Sequence, residues 1–257
     1  MTLDKLPYLL VFHGSSDPRY QAAVAELMFS LKADLNHPLV RAAFLEAYPL
    51  PLWQQITDFA AVAAEQGYTT IHILPVFLHP GVHVMEDIPR EMAQASAGEL
   101  PVKIHLEPYI GQNTSAIASL LAQHLLAQKM TAAQPVTAWI LLAHGSRRQG
   151  GNQSVEDIAQ KLTRLINPGN GIKMTSIAIS TAYWSVAPSL EEGLATLVAA
   201  GHRQVGILPY FLFPGGITEA ISRRAEELSQ THAVSIITLN PPHLGMVIGN
   251  WSFLPGS

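Results

Sequence analysis

Three polar residues stand where buried strands are predicted to end, and their types could bind a metal ion. His13 ends the first apolar run in VFHGS, Glu46 ends the second in AFLEA, and His83 follows the third in FLHPGVH. Ligands of open parallel sheets bind beyond the carboxyl ends of the strands, so these side chains are expected to share one rim. Two imidazoles and a carboxylate suit a divalent first-row metal, and a neutral imidazole can also accept a proton. The set therefore predicts metal handling, proton transfer or both.

Each of these residues also has an ordinary structural interpretation when it is taken alone. His13 with Gly14 and Ser15 could form a strand-to-helix turn that binds an anion at a helix N-terminus. Glu46 could be a solvated loop carboxylate, and His83 could be a surface histidine. The joint placement of all three at successive strand ends favours a site over these alternatives.

His79 stands four residues before His83, a spacing that would put two ligands on one face of a helix. Pro80 and Gly81 lie between them and argue against a helix there. The segment 207–215 repeats 73–81 and has Phe213 at the position of His79, so an apolar ring is tolerated there. Packing or lining of a cleft is therefore favoured for His79 over metal ligation.

The other polar residues around this segment are expected to serve the fold. Glu86 and Asp87 fall in the first turn of the next predicted helix, where carboxylates complement the helix dipole. The remaining histidines have no supporting constellation in the sequence and are expected to be structural or exposed. They are His37, His72, His105, His124, His202, His232 and His243.

The elements that must position the candidate site form an internal repeat. ILPVFLHPG at 73–81 and ILPYFLFPG at 207–215 are identical at seven of nine positions, and LLVFHGSS at 9–16 is echoed by ILLAHGSR at 140–147. Each half alternates short apolar runs with longer stretches of helical period, which is typical of βαβ units. We therefore predict an α/β fold of two similar lobes, each a four-stranded parallel sheet flanked by helices, with a cleft between them.

The predicted lobes meet at residue 131. The N-terminal lobe, 1–131, carries the active site, and the C-terminal lobe, 132–257, is a degenerate repeat with a tail from Pro241; the linker is expected at 130–135. The predicted strands are 8–13, 39–46, 70–77 and 102–106, then 138–144, 174–181, 204–211 and 234–239. The predicted helices of the first lobe are 18–33, 51–66, 85–97 and 113–129.

The second lobe retains only part of the candidate site. His144 is again followed by glycine and serine, as His13 is. Ile217, however, stands in place of His83. Aligning the prolines that follow the two second strands puts Tyr183 in place of the carboxylate. The second lobe is expected to be a scaffold copy in which His144 has at most a secondary role.

The composition excludes several classes of protein. The 257 residues include no cysteine, so any metal must be held by His, Asp or Glu, and disulfides are excluded. A net charge of -4 argues against a nucleic-acid partner, and 48% apolar with 13% charged residues argues against disorder. Apolar runs stop short of the roughly 20 residues that a membrane span needs. The N-terminus does not read as a signal peptide, so a cytoplasmic protein without membrane contact is expected.

The segments LLVFHGSSDPRY, AFLEA, ILPVFLHPGVHVMEDIP and LLAHGSRR together resemble the sirohydrochlorin chelatase family, the class II chelatases that include the CbiX and SirB types. The resemblance covers residues 7–239, and its specific feature is the pair of HGS motifs combined with GVHVMEDIP. In this family a metal-free tetrapyrrole lies in the cleft between two α/β lobes and receives Co²⁺ or, in siroheme-forming members, Fe²⁺. The chain resembles the long, two-lobed form.

The resemblance also implies roles for individual residues. The two active-site histidines of the family correspond to His13 and His83, as metal ligands and catalytic groups, and its substrate-contacting acid corresponds to Glu46. The segment that lines the tetrapyrrole corresponds to Leu78, His79, Pro80, Gly81 and Val82, followed by His83. Many members have a smaller, glycine-richer run here, so the loop shape and the metal preference of this chain do not follow from the resemblance.

The resemblance therefore predicts a sirohydrochlorin chelatase, a lyase of cobalamin or siroheme biosynthesis. It would insert Co²⁺ or Fe²⁺, with Ni²⁺ left open by the ligand set, and would need no organic cofactor. His13 is expected to accept pyrrole protons and, with His83, to present the metal, while Glu46 positions the ring or relays protons. A non-catalytic carrier of metal or tetrapyrrole on the same fold is the alternative. Phosphoryl transfer at an HGS loop is disfavoured because no full phosphate loop accompanies it.

The acidic substrate and the two-lobed plan imply two further features. A carboxylate-rich tetrapyrrole needs local cations in a protein of net negative charge, although each candidate could equally be a solvated surface residue. A chain with two lobes can form within one molecule the cleft that a single-lobed relative forms as a dimer, so a monomer is expected. The candidate cations near predicted strand ends are Arg19, Arg41, Arg90, Arg147 and Arg148.

Overall fold

The computed structural model describes residues 6–35, 39–129, 136–167 and 176–242. The chain divides into two compact units, the first ending at Gln112 and the second beginning at Asn113. Each unit contains one four-stranded parallel sheet. The predicted α/β fold of two similar lobes is therefore confirmed. The predicted linker and the tail beyond residue 242 lie outside the described residues.

The first unit alternates strands and helices. Its sheet has the order β2-β1-β3-β4, and every pair of neighbouring strands is parallel. The strands are β1 Tyr8–Phe12, β2 Val40–Phe44, β3 Thr70–Pro75 and β4 Lys103–Leu106. The helices are α1 Pro18–Leu35, α2 Leu52–Glu65 and α3 Ile88–Ser96, with a π-helical turn at His83–Asp87 and a 3-10 turn at Ile110–Gln112.

The second unit repeats this plan with the sheet order β6-β5-β7-β8, again all parallel. The equivalent order of the two sheets confirms the internal repeat. The strands are β5 Ala138–Ala143, β6 Ala178–Tyr183, β7 Gln204–Pro209 and β8 Ser235–Thr238. The helices are α4 Thr114–Lys129, α5 Gln153–Ile166, α6 Leu190–Ala199 and α7 Gly216–His232.

Several predicted boundaries differ from the structure, those of α4 and β6 among them. The prediction assigned α4 to the first lobe, but α4 packs against α5, and Lys161 donates hydrogen bonds to Thr114 (2.6 Å) and Ser115 (2.9 Å). Helix α4 is therefore part of the second unit. Strand β6 continues two residues beyond its predicted end, because Tyr183 still pairs in register with Ala143 of β5.

The central strands explain why the sheets form. All five residues of β1 and all six of β5 are buried, so both strands are continuous apolar runs, as expected when helices cover both faces of a parallel sheet. On one face of the first sheet, Ile71 and Ile73 pack with Ile56 and Phe59 of α2. This packed sheet is the rigid base from which the strand-end residues project.

Among the described residues, no helix combines the length and the hydropathy that crossing a membrane requires.

Candidate functional site

The carboxyl ends of β1, β2 and β3 lie side by side in the first unit, because the three strands are parallel and adjacent. His13 directly follows β1, Glu46 comes two residues after β2, and His83 opens the π-helical turn after β3. The strand order thus brings to one edge three residues that are far apart in the sequence.

Backbone hydrogen bonds fix the spacing between His13 and Glu46. The ladder continues past the strand ends, with the amide of Leu45 donating to Phe12 (2.9 Å) and that of Glu46 to the His13 carbonyl (2.8 Å). Gly14 has a φ of +94°, and a Cβ at this position would overlap the carbonyl oxygen of Glu46. The close approach of the two loops therefore requires glycine after His13.

His13, Glu46 and His83 form a compact group, which we call the triad. Each residue offers one ligand atom, and these atoms lie within 4.8 Å of one another. The rings of His13 and His83 are 4.7 Å apart at 85°, and the Phe77 ring lies 6.5 Å and 6.2 Å from them. The structure thus brings together all three residues predicted from the sequence. Their donor set is suited to a divalent first-row ion.

His83 is oriented by an acid one helical turn further along the chain. Its Nδ1 lies 2.8 Å from Oδ2 of Asp87, whose Oδ1 accepts a hydrogen bond of 2.7 Å from Arg90. The hydrogen bond from His83, aided by Arg90, lowers the pKa of Asp87 below its usual value. Because Asp87 is thus ionised and accepts, Nδ1 of His83 carries the hydrogen and Nε2 is left to bind a metal.

The prediction that Asp87 serves the start of α3 therefore misses its contact with His83. Asp87 begins α3 but makes no capping hydrogen bond with its side chain, which is turned towards His83 instead. The sequence contained one usable signal, the four-residue spacing of a histidine and an acid, which places them on one helical face.

The ring of His13, like that of His83, is held by a hydrogen bond at Nδ1. Its Nδ1 lies 3.0 Å from the carbonyl oxygen of Gly14, which can only accept a hydrogen bond. Nδ1 of His13 therefore donates, and its Nε2 carries the lone pair. Both imidazoles of the triad thus keep Nε2 for a metal or a proton.

The segment predicted to line the substrate lies directly before His83. Gly81 donates to the His79 carbonyl (2.9 Å), and the Gly81 carbonyl accepts from Met85 (3.1 Å), which starts the helical turn. Val82 is exposed and His79 is half-buried. Leu78 is buried, and its backbone packs closely against Gly111.

Large apolar side chains are exposed in two of the three loops that carry the triad. Tyr48 and Leu50 follow Glu46, and Val82 and Met85 flank His83; between 41% and 58% of each residue is accessible. Tyr48 also stacks on Phe44 with ring centroids 5.4 Å apart. Exposed apolar groups concentrated in one place are typical of a ligand-binding surface.

The second unit has a reduced version of this arrangement. His144 follows β5 and is exposed, and its carbonyl accepts from the amide of Ser185 (2.9 Å), as the His13 carbonyl accepts from Glu46. Ser185, and not Tyr183, is therefore the counterpart of Glu46. The proline alignment failed because the proline follows the strand two residues earlier in the second unit, since Pro188 comes five residues after Tyr183 and Pro51 comes seven residues after Phe44. Ile217 lies in the first turn of α7, so histidine and acid are both replaced.

The predicted cations differ in their surroundings. Arg90 is bound to Asp87 beside the triad, and Arg19 pairs with Asp17 (2.6 Å) at the start of α1. Arg41 was expected near a strand end on the rim, but it lies at the second residue of β2, towards the opposite end of that strand. The other two, Arg147 and Arg148, are exposed after His144.

Sequence reasoning missed a second group of possible metal ligands in the first unit. His72 and His105 were expected to have no supporting constellation, but each has a ligand atom within 4.8 Å of the other and of Glu107. The signal that could have found them is the parallel pairing of β3 with β4, which sets His72 opposite His105. Among the described residues, all groups of three or more possible metal ligands lie in the first unit.

The chain matches the CbiX family model twice, at residues 7–127 and 138–246. It is 28% identical over 233 residues to a sirohydrochlorin ferrochelatase of Priestia megaterium, covering 90% of this chain and 82% of that relative. It is 27% identical over 228 residues to a sirohydrochlorin cobaltochelatase of the same organism, covering 87% and 70%.

Solved structures show the same fold. SirB from Bacillus subtilis with Fe³⁺ superposes with a TM-score of 0.73 at 20% identity, covering 95% of this chain and 93% of that one. CbiX, described as the terminal enzyme of siroheme biosynthesis in denitrifying bacteria, gives 0.63 at 20% identity, with 95% and 96% covered. The two-fold repeat of four-stranded parallel sheets is thus an architecture shared with these proteins.

Proposed function

The chain belongs to the CbiX family, and from this membership and the geometry of its triad we propose that it is a sirohydrochlorin chelatase, a lyase that inserts a divalent metal into the macrocycle. The observation that carries the proposal is the convergence of His13, Glu46 and His83, whose ligand atoms lie within 4.8 Å of one another. Curated relatives that match most of the chain are named as sirohydrochlorin chelatases.

The reaction exchanges two pyrrole N–H protons for one divalent ion. The triad must therefore accept protons and deliver a metal that has lost part of its water shell. Nε2 of His13 is the proposed proton acceptor, since its Nδ1 is engaged with the Gly14 carbonyl. Nε2 of His13 and Nε2 of His83 first present the metal, and Nε2 of His13 is free to accept a proton only once the ion has passed to the ring. Glu46 orients the ring or passes protons to solvent.

The exposure of the triad suits transient binding of a metal that must be released. His13 and Glu46 are exposed and His83 is partly so, which leaves room for water and substrate around the ion. The absence of cysteine also fits, because thiolates would hold a soft or borderline metal more tightly. Holding both reactants in one geometry then accounts for much of the rate.

The macrocycle would contact the apolar side chains beside the triad. Tyr48, Leu50, Val82 and Met85 offer apolar area to a flat ring, and the segment Leu78–Val82 forms the proposed lining. Arg90 is the best placed of the candidate cations for a substrate carboxylate, since it already lies beside the triad through Asp87.

We infer Co²⁺ or Fe²⁺ as the metal, because relatives of similar identity are named for each. Ni²⁺ rests on the ligand set alone. We further propose that the protein acts as a monomer in the cytoplasm, needs no organic cofactor and binds neither nucleic acid nor a membrane. Two repeats in one chain and the net charge of -4 support the monomer and the lack of a nucleic-acid partner. Light scattering after gel filtration tests the oligomeric state.

The deciding experiment follows the absorbance spectrum of sirohydrochlorin with Co²⁺ or Fe²⁺ in the presence of catalytic amounts of the protein. A chelatase converts many equivalents of the ring faster than the uncatalysed reaction. A carrier of metal or tetrapyrrole would change the spectrum by at most one equivalent. That result, or a rate equal to the uncatalysed one, would contradict the proposal.

A further inference from the structure

His72, His105 and Glu107 form a second group in the first unit, which we call the β3–β4 cluster. His72 on β3 and His105 on β4 are paired in register, and the amide of Glu107 continues the ladder by donating to Ile73 (2.8 Å). Ile71 and Ile73 point into the core against α2, so the alternation of a strand turns His72 to the opposite face of the sheet. His105, which is paired with His72, and Glu107, two residues further along, point to that same opposite face.

The polar atoms of this cluster are close enough to share one ion. Nδ1 of His72 lies 2.6 Å from Oε1 of Glu107, and Nε2 of His105 lies 3.7 Å from the same oxygen. The two imidazole rings are 5.2 Å apart. Ligands about 2.0–2.2 Å from a tetrahedral ion lie about 3.3 Å from each other, a value between the two observed distances.

Glu107 gives an independent reason to expect a ligand. Its side chain is only 3% exposed, and, within the part of the chain that the structure describes, its Oε2 has no hydrogen-bond partner. A buried carboxylate oxygen without a partner is costly, and coordination to a cation would satisfy it. His105, whose side chain is 54% exposed, leaves the cluster open to solvent for entry of an ion.

We propose that the β3–β4 cluster is a second binding site for a divalent first-row ion, with Zn²⁺ the best fit to two imidazoles and one carboxylate. The ion takes the place of the hydrogen shared by His72 and Glu107, which is released to solvent or moves to Nε2 of His72, and water completes the coordination. This inference goes beyond the proposed insertion of metal into a macrocycle. His72 lies three residues before the end of β3, or roughly 10 Å along the strand, so the cluster is separate from the triad.

The competing interpretation is that His72 and Glu107 form a structural ion pair and that His105 is a surface residue. The two interpretations differ in their dependence on His105, which is exposed and can be replaced without opening the core. The structural interpretation predicts that His105→Ala leaves metal binding unchanged. If the cluster is a metal site, the same substitution removes one ligand and abolishes binding of the ion.

The test is calorimetric titration of Zn²⁺ into the metal-stripped, untagged full chain. The wild type should bind two equivalents, and both H13A/H83A and H105A should bind one. The triple variant H13A/H83A/H105A should bind none, and the control H232A should match the wild type because His232 belongs to no described ligand group. If H13A/H83A binds no Zn²⁺, or if the triple variant binds as much as H13A/H83A, the proposal is overturned.

Thermal unfolding and turnover provide a second readout. Zn²⁺ should raise the Tm of H13A/H83A but not that of the triple variant, because an ion that binds only the folded state stabilises it. H105A should insert metal into sirohydrochlorin at the wild-type rate. A loss of insertion in H105A would assign the cluster to the triad's reaction and overturn its separate role.

Discussion

His13 and His144 follow equivalent strands, yet within the described part of the chain only His13 has a carboxylate and a second imidazole beside it. His13→Ala should lower kcat/KM for metal insertion by about 10²-fold or more, since a positioned base contributes about 10²–10⁴ and one metal ligand is also lost. His144→Ala is the matched control and should remain near the wild type. Steady-state rates with sirohydrochlorin and Co²⁺ measure both, and equal losses would contradict a single site in the first unit.

In the proposed reaction Asp87 acts through His83, whose ring it orients. Asp87→Asn keeps the size of the side chain but removes the charge that accepts from Nδ1. We expect affinity for the metal or activity to fall about 10–100-fold, as is usual when the partner of a metal-binding histidine is lost. The KM for the metal should rise more than the KM for the macrocycle. Glu86→Gln, at an exposed neighbour, should change neither.

The triad could be predicted from sequence because each member follows an apolar run that must be a strand, and parallel strands end at one edge. Asp87 was misassigned because the local rule for acids at helix starts competes with a contact that depends on the π-helical turn. His72 and His105 were missed because their significance depends on the register of β3 with β4, which no single segment reveals.

The turn after β1 is the element that holds His13 close to Glu46. Gly14→Ala should destabilise the fold by more than about 1 kcal/mol, because φ is +94° and the added Cβ would overlap the Glu46 carbonyl. The same substitution at Gly145, where φ is +86°, should also destabilise, since its Cβ would lie 2.7 Å from Val186.

The two glycine variants should differ in activity. Gly14→Ala displaces Glu46 from the triad, so insertion should fall even at temperatures where the variant is fully folded. Gly145→Ala alters the second unit and should keep its kcat when folded. Denaturant unfolding and kcat at low temperature separate the two effects. A Gly14→Ala variant with normal kcat would show that the close approach of the loops is not needed.

At the level of elements, the strand positions follow from the apolar runs, and β1 and β5 are recognisable because both faces of a central strand are buried. The placement of α4 did not follow. Its sequence position after β4 makes it the last helix of the first lobe, but its contacts are with α5. Only tertiary packing decides between these two partners, and the periodicity of a helix does not contain that information.

The whole chain is one architecture used twice, and the second copy differs from the first at the positions that matter for chemistry. Ser185 stands where Glu46 does. The amide of Ser185 donates to the His144 carbonyl (2.9 Å), as the amide of Glu46 donates to the His13 carbonyl (2.8 Å). Ile217 stands where His83 does. The second unit therefore keeps the backbone of a metal site and lacks two of its three ligands.

Restoring those ligands should create a site in the second unit. Ser185→Glu combined with Ile217→His, in the H13A/H83A/H105A background, should bind one equivalent of Zn²⁺ in a calorimetric titration, because His144 already supplies the third ligand. Either single substitution serves as the control and should bind much more weakly. The position that matches Asp87 is Ile221, which is fully buried, so the new histidine has no acid to orient it. We therefore expect an affinity about 10–100-fold below that of the triad. No binding by the double substitution would show that the two units differ in more than their ligands.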